Sequence, residues 1–132
     1  MKKVLLFIML LLGGMNIAMA QKAAEIKFDK VSHDFGKFAE TSPVVNCVFN
    51  FQNVGDAPLV INQAIASCGC TVPEYTKEPI QPGQKGEIKV TYNGKGKHLG
   101  HFSKTITVKC NGKTEIVRLM IEGEMVEGEK EQ

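Results

Sequence analysis

The sequence is poor in several features that would assign it to a protein class at once. It contains no tryptophan, and aromatic residues make up only 7% of its 132 residues. Its longest apolar run, residues 4–12, is too short for a membrane-spanning helix, which needs about 20 apolar residues. Beyond residue 20, no long stretch has the apolar period of an amphipathic helix. The sequence therefore predicts a β-rich domain without a membrane span.

The amino end has the three parts of a secretory signal peptide. Lys2 and Lys3 form a positive start, residues 4–12 form the apolar part, and residues 18–20 read Ala-Met-Ala, a small-residue cleavage site. Residue 21 is Gln21, so the cysteine that carries the lipid of a bacterial lipoprotein is missing at this site. We expect residues 1–20 to be removed and the mature chain to be exported, either to the periplasm or out of the cell.

The mature chain lacks a surplus of either charge. Loss of Lys2 and Lys3 from the 16 basic residues leaves as many basic residues as the 14 acidic ones. Such a balance does not favour nucleic acid as a partner, and another envelope or secreted protein is expected instead. Serine and histidine do not occur in recognisable nucleophile motifs, so no enzyme activity is predicted. The acidic residues 124–132 are expected to be a disordered tail.

Alternating apolar residues indicate about seven short strands separated by turns. Residues 21–25 form a lead-in, and residues 26–35 suit an edge strand in two pieces. The clearest inward-facing sets are Val45, Cys47, Phe49 and Phe51; Ile88, Val90 and Tyr92; Ile106, Val108 and Cys110; and Val117, Leu119 and Ile121. Asn111-Gly112 predicts a type I′ hairpin turn. Three prolines between residues 71 and 85 predict an irregular connection that switches sheets. This pattern is typical of an immunoglobulin-like antiparallel β-sandwich over residues 26–123.

Four motifs carry a family resemblance: Asn53-x-Gly55, Cys68-Gly-Cys-Thr71, Pro82-Gly83-x-x-Gly86 and Gly100-x-Phe102. In this order they resemble a family of secreted bacterial domains of unknown function. That family is similar to the major-sperm-protein and pilus-chaperone-like branch of immunoglobulin folds. The resemblance covers roughly residues 26–123 and implies the fold and export. It implies no activity.

All four cysteines lie in the expected mature chain, where an oxidising compartment permits disulfides. Four cysteines allow three complete pairings, and spacing does not choose among them. The order of strands places Cys47, the Cys68-Gly69-Cys70 loop, His98 and His101 at one end of a sandwich. Cys110 is expected at the opposite end, which disfavours a Cys47–Cys110 bridge because disulfide Cα atoms lie within about 7 Å.

The Cys68-Gly69-Cys70 loop has three interpretations. The first is a structural disulfide, either within the loop or from one of its thiols to Cys47. The second is a redox site, in which two close thiols form a small ring and Gly69 supplies the backbone freedom that the ring needs. The third is a copper or zinc site with Cys68, Cys70, His98 and His101 as ligands.

The favoured function is an exported interaction or assembly module that needs no cofactor. The alternative is a thiol-based redox protein or a copper- or zinc-handling protein that uses Cys68 and Cys70.

Overall fold

The computed structural model describes residues 22–128, and every regular element in that range is a β-strand. The signal peptide expected at residues 1–20 lies outside the described residues. The eight strands are β1 (Ile26–Phe28), β2 (Ser32–Ala39), β3 (Val44–Asn53), β4 (Ile61–Ala66), β5 (Thr71–Tyr75), β6 (Lys85–Asn93), β7 (Gly100–Cys110) and β8 (Ile116–Val126). Between residues 22 and 128 there is no helix with the length and apolar character needed to cross a membrane.

The strands form two four-stranded sheets that enclose one core. The first sheet has the order β1-β3-β6-β5 and the second the order β2-β8-β7-β4. Because side chains alternate between the faces of a strand, each sheet turns every second residue inward. The predicted inward sets are buried or partly buried, and those fully enclosed include Phe49, Phe51, Ile88, Val90, Ile106, Val108, Leu119 and Ile121. The predicted immunoglobulin-like β-sandwich is confirmed.

The prediction of a purely antiparallel sandwich was wrong at one edge. The two pieces expected at the amino end are β1 and β2, and they belong to different sheets. β1 runs antiparallel to β3, whereas β2 runs parallel to β8. The β2 register shifts between Asp34 and Lys37, where Gly36 has a φ of 68° and donates its amide to Asp34 Oδ1 at 2.7 Å. A left-handed glycine with an aspartate acceptor makes the bulge in this strand.

The connection from residue 71 to residue 85 is more regular than predicted. Its first five residues form β5, which pairs with β6 in the first sheet. The chain does switch sheets here, but the switch occurs before the prolines, between Ala66 at the end of β4 and Thr71 at the start of β5.

The last strand also runs further than predicted. β8 continues to Val126, with Gly123 and Met125 buried and Glu124 half-buried. The sheet therefore includes residues 124–126 of the stretch that was assigned to a disordered tail, and residues 129–132 lie outside the described residues.

The Asn111-Gly112 turn is not the type I′ turn that was predicted. No residue other than glycine has a positive φ in the described chain, whereas a type I′ turn requires two positive values. The Asn111 side chain is instead used to hold the start of β4. Its Oδ1 accepts from Val60 N at 2.7 Å and its Nδ2 donates to Pro58 O at 3.1 Å.

Candidate functional site

Residues 67–70 form the corner at which the chain passes from the second sheet to the first. Backbone hydrogen bonds hold both sides of this corner. Ser67 N donates to Thr105 O at 2.9 Å on the β7 side, and Asn93 N donates to Cys70 O at 2.8 Å on the β6 side. Across the corner itself, Thr71 N donates to Cys68 O at 3.3 Å. The corner is therefore fixed by main-chain bonds that do not depend on its sulfur atoms.

A disulfide joins Cys68 to Cys70 within this corner. Their Cα atoms are 5.4 Å apart, which lies within the usual range for a bridged pair. The two cysteines are separated by only two positions in the sequence. A loop this short loses little chain entropy on closure, about 1.6 kcal/mol against about 4.7 kcal/mol for a loop of 100 residues. The bridge stabilises the corner locally and contributes little to the stability of the whole sandwich.

The two sulfur atoms have different hydrogen-bond donors. Cys70 N donates to Cys68 Sγ at 3.3 Å. The Thr71 hydroxyl lies 3.8 Å from Cys68 Sγ and 3.7 Å from Cys70 Sγ, and it is the donor because disulfide sulfurs carry no hydrogen. Thr71 is itself 3% exposed, so its hydroxyl has little water to bind. Cys68 Sγ thus accepts a hydrogen bond from a main-chain amide, whereas Cys70 Sγ does not.

Gly69 does not have the role that was predicted for it. Its φ is outside the left-handed region, and a Cβ built on it would have no atom within 4 Å beyond those of its two chain neighbours. Neither the backbone nor the packing therefore requires glycine at the tip of the ring. Gly69 itself is exposed, and Cys68 and Cys70 on either side of it are half-buried.

The other two cysteines are free and lie apart from the corner. Cys47 is 7% exposed and faces Val90 across the sheet, so β6 separates it from β5. Burial raises the pKa of its thiol to about 11. The alternative bridge from the loop to Cys47 is not formed.

Cys110 lies at the opposite end of β7, as expected. It pairs with Ile61 at the start of β4, whereas Ala66, at the end of β4, pairs with Ile106. Its Sγ donates to Thr114 O at 3.1 Å, and burial raises the pKa of the thiol.

The two histidines proposed as metal ligands are not gathered around the sulfur atoms. His101 Nε2 lies 3.4 Å from Glu122 Oε2 of β8, and its side chain is 65% exposed. His98 is an exposed residue of the loop between β6 and β7. Among residues 22–128, no group of three or more His, Cys, Asp or Glu side chains is placed to hold a metal ion. The corner is bonded to Asn93 at the end of β6 and to Thr105 of β7, and His101 is directed toward Glu122 of β8.

Motifs outside the corner are explained by packing. The side chain of Asn53 is fully buried and makes hydrogen bonds to four main-chain groups. A Cβ at Gly55 would collide with the carbonyl oxygen of Ala23. A Cβ at Gly86 would lie 2.5 Å from the ring of Phe51, which stands directly opposite on β3. Of the motifs that suggested a family, only the cysteine corner offers chemistry.

The sequence did not reveal a second feature, which is how far each of the four edge strands is protected against pairing with a further strand. β5 is an edge of the first sheet. Its even-numbered residues point their main-chain groups at β6, because Cys70 O accepts from Asn93 N and Thr76 N donates to Glu87 O. The main chain of Pro73 must then point outward, where an ordinary residue would offer an amide. Proline at this position removes a donor that another strand would need.

The edges at the opposite side of the sandwich are also protected. β1 is only three residues long and includes the exposed Lys27. β2 contains the bulge at Gly36, which is flanked by the charged Asp34 and Lys37. Short length, bulges and charge each hinder the addition of a further strand.

β4 differs from the other three edges. Its sequence, Ile-Asn-Gln-Ala-Ile-Ala, contains no charge, proline or glycine, and its bulge lies at its start, between Ile61 and Gln63. Because Ser67 N bonds Thr105 O, the main-chain groups of Ala64 and Ala66 point away from β7. Within residues 22–128, β7 is the sole strand paired with β4. We call the outward main-chain groups of Ala64 and Ala66 the β4 edge.

Comparison with known proteins agrees with the fold. A family model described as "Protein of unknown function (DUF1573)" matches residues 26–125. No curated protein sequence matches the chain significantly. A Porphyromonas gingivalis W83 protein of unknown function has a similar structure, with a TM-score of 0.67 and 15% identity over 83% of this chain and 51% of that one. The chain thus spans about half the length of that protein.

Two further structures share the sandwich. The PapD-like domain 7 of human CEP192 has a TM-score of 0.60 and 10% identity, over 87% of this chain and 94% of that domain. The periplasmic chaperone SfaE has a TM-score of 0.54 and 9% identity, over 80% of this chain and 59% of that one. At these identities the likeness shows the fold alone.

Proposed function

The chain belongs to the DUF1573 family, and from its strand edges we propose that it is an exported, non-enzymatic module that binds another protein by strand addition. The β4 edge is the observation that carries this proposal. Three of the four edges carry proline, a bulge with charges, or too few residues, whereas the regular part of β4 carries none of these. Proteins that do not use an edge protect it, because unpaired amides and carbonyls accept a further strand.

The chemistry beside the β4 edge defines the partner segment. Ala64, Cys70 and Tyr75 pack against the core but remain partly exposed, at the open side between β4 and β5. A strand added along Ala64 and Ala66 would place every second side chain over these residues. The expected partner is therefore an extended, uncharged segment with apolar residues at alternate positions, in which main-chain bonds supply affinity and side chains supply selectivity.

Export is the second part of the proposal. It is supported by the positive, apolar and small-residue parts of residues 1–20 and by a disulfide, which persists in oxidising compartments. Mass spectrometry of the protein from its native host should find Gln21 at the amino end. If the protein recovered from the membrane still carries residues 1–20, the chain is anchored there by those residues and is not released as a mature exported domain.

Site-specific photo-crosslinking in the native host tests strand addition. The crosslinker is placed at Ile65, whose side chain is 41% exposed on β4, and at Val54, which is 50% exposed in a turn away from that edge. We expect a protein adduct from position 65 and none from position 54. Amide hydrogen exchange of the purified pair should then show new protection at Ala64 and Ala66, because only a paired strand bonds those amides.

A proline variant provides the matched control. Ala64→Pro removes an outward amide and should abolish the adduct while the domain stays folded, because that amide does not bond β7. An adduct with the mass of two copies of this chain would assign the β4 edge to self-association. An adduct that persists in Ala64→Pro, without protection of Ala66, would refute strand addition.

A further inference from the structure

We propose that the Cys68–Cys70 disulfide is a thiol–disulfide exchange site whose partner is a dithiol, and that Cys70 Sγ is the sulfur attacked. The inference depends on three observations at the corner. Cys68 and Cys70 are only half-buried beside the exposed Gly69, the main-chain donor at the bridge is directed at Cys68 Sγ alone, and main-chain bonds hold the corner without the bridge. None of these depends on the β4 edge.

The unequal donors determine the direction of the exchange. When a thiolate attacks one sulfur of a disulfide, the other sulfur leaves with the electron pair, and the better stabilised thiolate leaves faster. Cys70 N lies 3.3 Å from Cys68 Sγ and would donate to a thiolate there. The Thr71 hydroxyl lies 3.8 Å from Cys68 Sγ and 3.7 Å from Cys70 Sγ, so it does not itself distinguish the two sulfurs. It can, however, turn to a thiolate on Cys68 once the bond breaks. Cys68 is therefore the leaving group, and attack falls on Cys70.

The exchange balances in two steps. A thiolate of the partner attacks Cys70 Sγ, the bond between Cys70 and Cys68 breaks, and the electron pair remains on Cys68 Sγ as a thiolate. The second thiolate of the partner then attacks its own first sulfur and releases Cys70 as a thiolate. Cys68 and Cys70 each take a proton from solvent. The partner dithiol is oxidised to a disulfide by two electrons, and the domain is reduced by the same two.

The remaining cysteines do not compete for these electrons. Cys47 and Cys110 are buried away from an external thiol, and burial raises the pKa of each thiol, which disfavours the thiolate that exchange needs. Cys110 is also at the far end of β7. The bond between Thr71 N and Cys68 O and the flanking strand pairs remain when the bridge opens. The reduced form is thus a folded domain with a dithiol at its corner.

Redox titration of the purified mature protein tests the proposal. Dithiothreitol, a small dithiol, is equilibrated with the folded protein at graded ratios of its reduced and oxidised forms. Alkylation followed by peptide mass spectrometry then reports the state of each cysteine. We expect reversible reduction of Cys68 and Cys70 without denaturant, with Cys47 and Cys110 unlabelled throughout. A bridge that millimolar dithiothreitol reduces only after urea unfolding would overturn the proposal.

The site of attack is measured separately with glutathione, a monothiol that cannot complete the second step. Acid-quenched mixtures should contain glutathione on Cys70 in at least tenfold excess over Cys68. The single variants give an independent test. In Cys70→Ser the remaining thiol is Cys68, and it still accepts a hydrogen bond from the main-chain amide of residue 70. That thiol should alkylate faster at pH 7 than the one kept in Cys68→Ser. Glutathione mainly on Cys68, or the reverse order of alkylation, would refute the assignment.

Thr71 is a positioning residue in this proposal, and conservative variants test it. Thr71→Val keeps the shape but removes the hydroxyl, and should slow reduction of the bridge by glutathione about tenfold, the usual effect of losing a hydrogen bond to a charged group. Thr71→Ser restores the hydroxyl and should restore the rate. If both variants are reduced at the same rate, the hydroxyl does not assist departure of Cys68.

Discussion

Asn53 Nδ2 donates a hydrogen bond to the carbonyl oxygen of Ile80 at 2.9 Å, although the two residues are 27 positions apart. The same amide group donates to Ala57 O at 2.8 Å, while Oδ1 accepts from Glu25 N at 3.3 Å and from Gly55 N at 3.0 Å. One fully buried side chain thus ties the segment before β1, the turn after β3 and the connection before β6 to one another. This explains structurally why an asparagine stands at the end of β3.

Replacing Asn53 by Leu should cost about 2–4 kcal/mol of unfolding free energy, because a side chain of similar volume makes none of the four hydrogen bonds. Of the four main-chain partners, Ile80 O still accepts a hydrogen bond from Leu59 N. Urea denaturation measures the change. Asn50→Leu is the matched control, since Asn50 is exposed on the same strand and its replacement should change stability by less than about 0.5 kcal/mol. Equal effects at both positions would contradict the role assigned to Asn53.

The Phe51–Gly86 pair gives a coupled prediction. Phe51→Ala should cost about 3–5 kcal/mol, the usual range for a buried phenylalanine. Gly86→Ala should cost about 1–3 kcal/mol by overpacking, because the added methyl meets the Phe51 ring. In the Phe51→Ala background the same methyl has room, so Gly86→Ala should cost much less there. A double-mutant cycle in urea measures the coupling, and additive costs would place the Phe51 ring elsewhere.

The corner disulfide should matter little to global stability. Replacing Cys68 and Cys70 together by Ser should lower the unfolding free energy by about 1–2 kcal/mol, the range expected for so short a loop. Gly69→Ala should leave stability unchanged, since its Cβ would meet nothing. Calorimetry on both variants checks this. A loss above about 4 kcal/mol in the double variant would make the bridge a main support of the fold.

The two free thiols should be hidden in the native protein. With Cys47 and Cys110 buried and Cys68 bonded to Cys70, a thiol reagent at pH 8 should find no reactive thiol. Urea without reductant should expose two, and urea with reductant all four. If two thiols of the native protein react rapidly, either the disulfide between Cys68 and Cys70 is open or Cys47 and Cys110 are exposed to solvent.

Alkaline pH should weaken the fold through Cys47. Burial raises the pKa of this thiol from 9.0 to about 11, so the folded state keeps a proton that the unfolded state releases. The unfolding free energy should therefore be insensitive to this thiol below pH 9.0 and should fall as the pH rises from 9.0 toward 11. Cys47→Ala should show a shallower fall over this interval, which urea titrations at pH 7 and pH 10.5 can measure. An equal fall in both proteins would assign the effect to other groups, such as Tyr92, whose pKa burial also raises.

Alternation of apolar residues was sufficient to predict the class of fold and the faces of its central strands. Phe49 and Phe51, Ile88 and Val90 stand in regular strands with neighbours on both sides, where the period of two has no competing influence. The predictions were wrong where the backbone conformation depends on a side-chain hydrogen bond or on a strand that is distant in the sequence. Asn111 bonds the start of β4 and so does not form the tight turn that Asn-Gly favours.

The candidate site was predictable in position but not in contacts. Strand order predicted the Cys68-Gly69-Cys70 loop and the histidine loop at one end. The corner bonds Asn93 at the end of β6, and on β7 it bonds Thr105, four residues after His101. Side-chain direction depends on register, which turns His101 toward Glu122 on β8. The open condition of β4 could have been suspected from its uncharged sequence, but only the pairing shows that it is an edge.

The parallel pairing of β2 with β8 affects the order in which the domain can assemble. β2 comes near the start of the described chain and pairs only with β8, the last strand in that range. Of all the strand pairs in the two sheets, β2 and β8 are the furthest apart in the chain, so their pairing closes the longest loop, which is the slow kind of contact in folding. Since β8 lies between β2 and β7, a truncation that removes residues 116–126 removes the strand that joins the earliest part of the sheet to the rest.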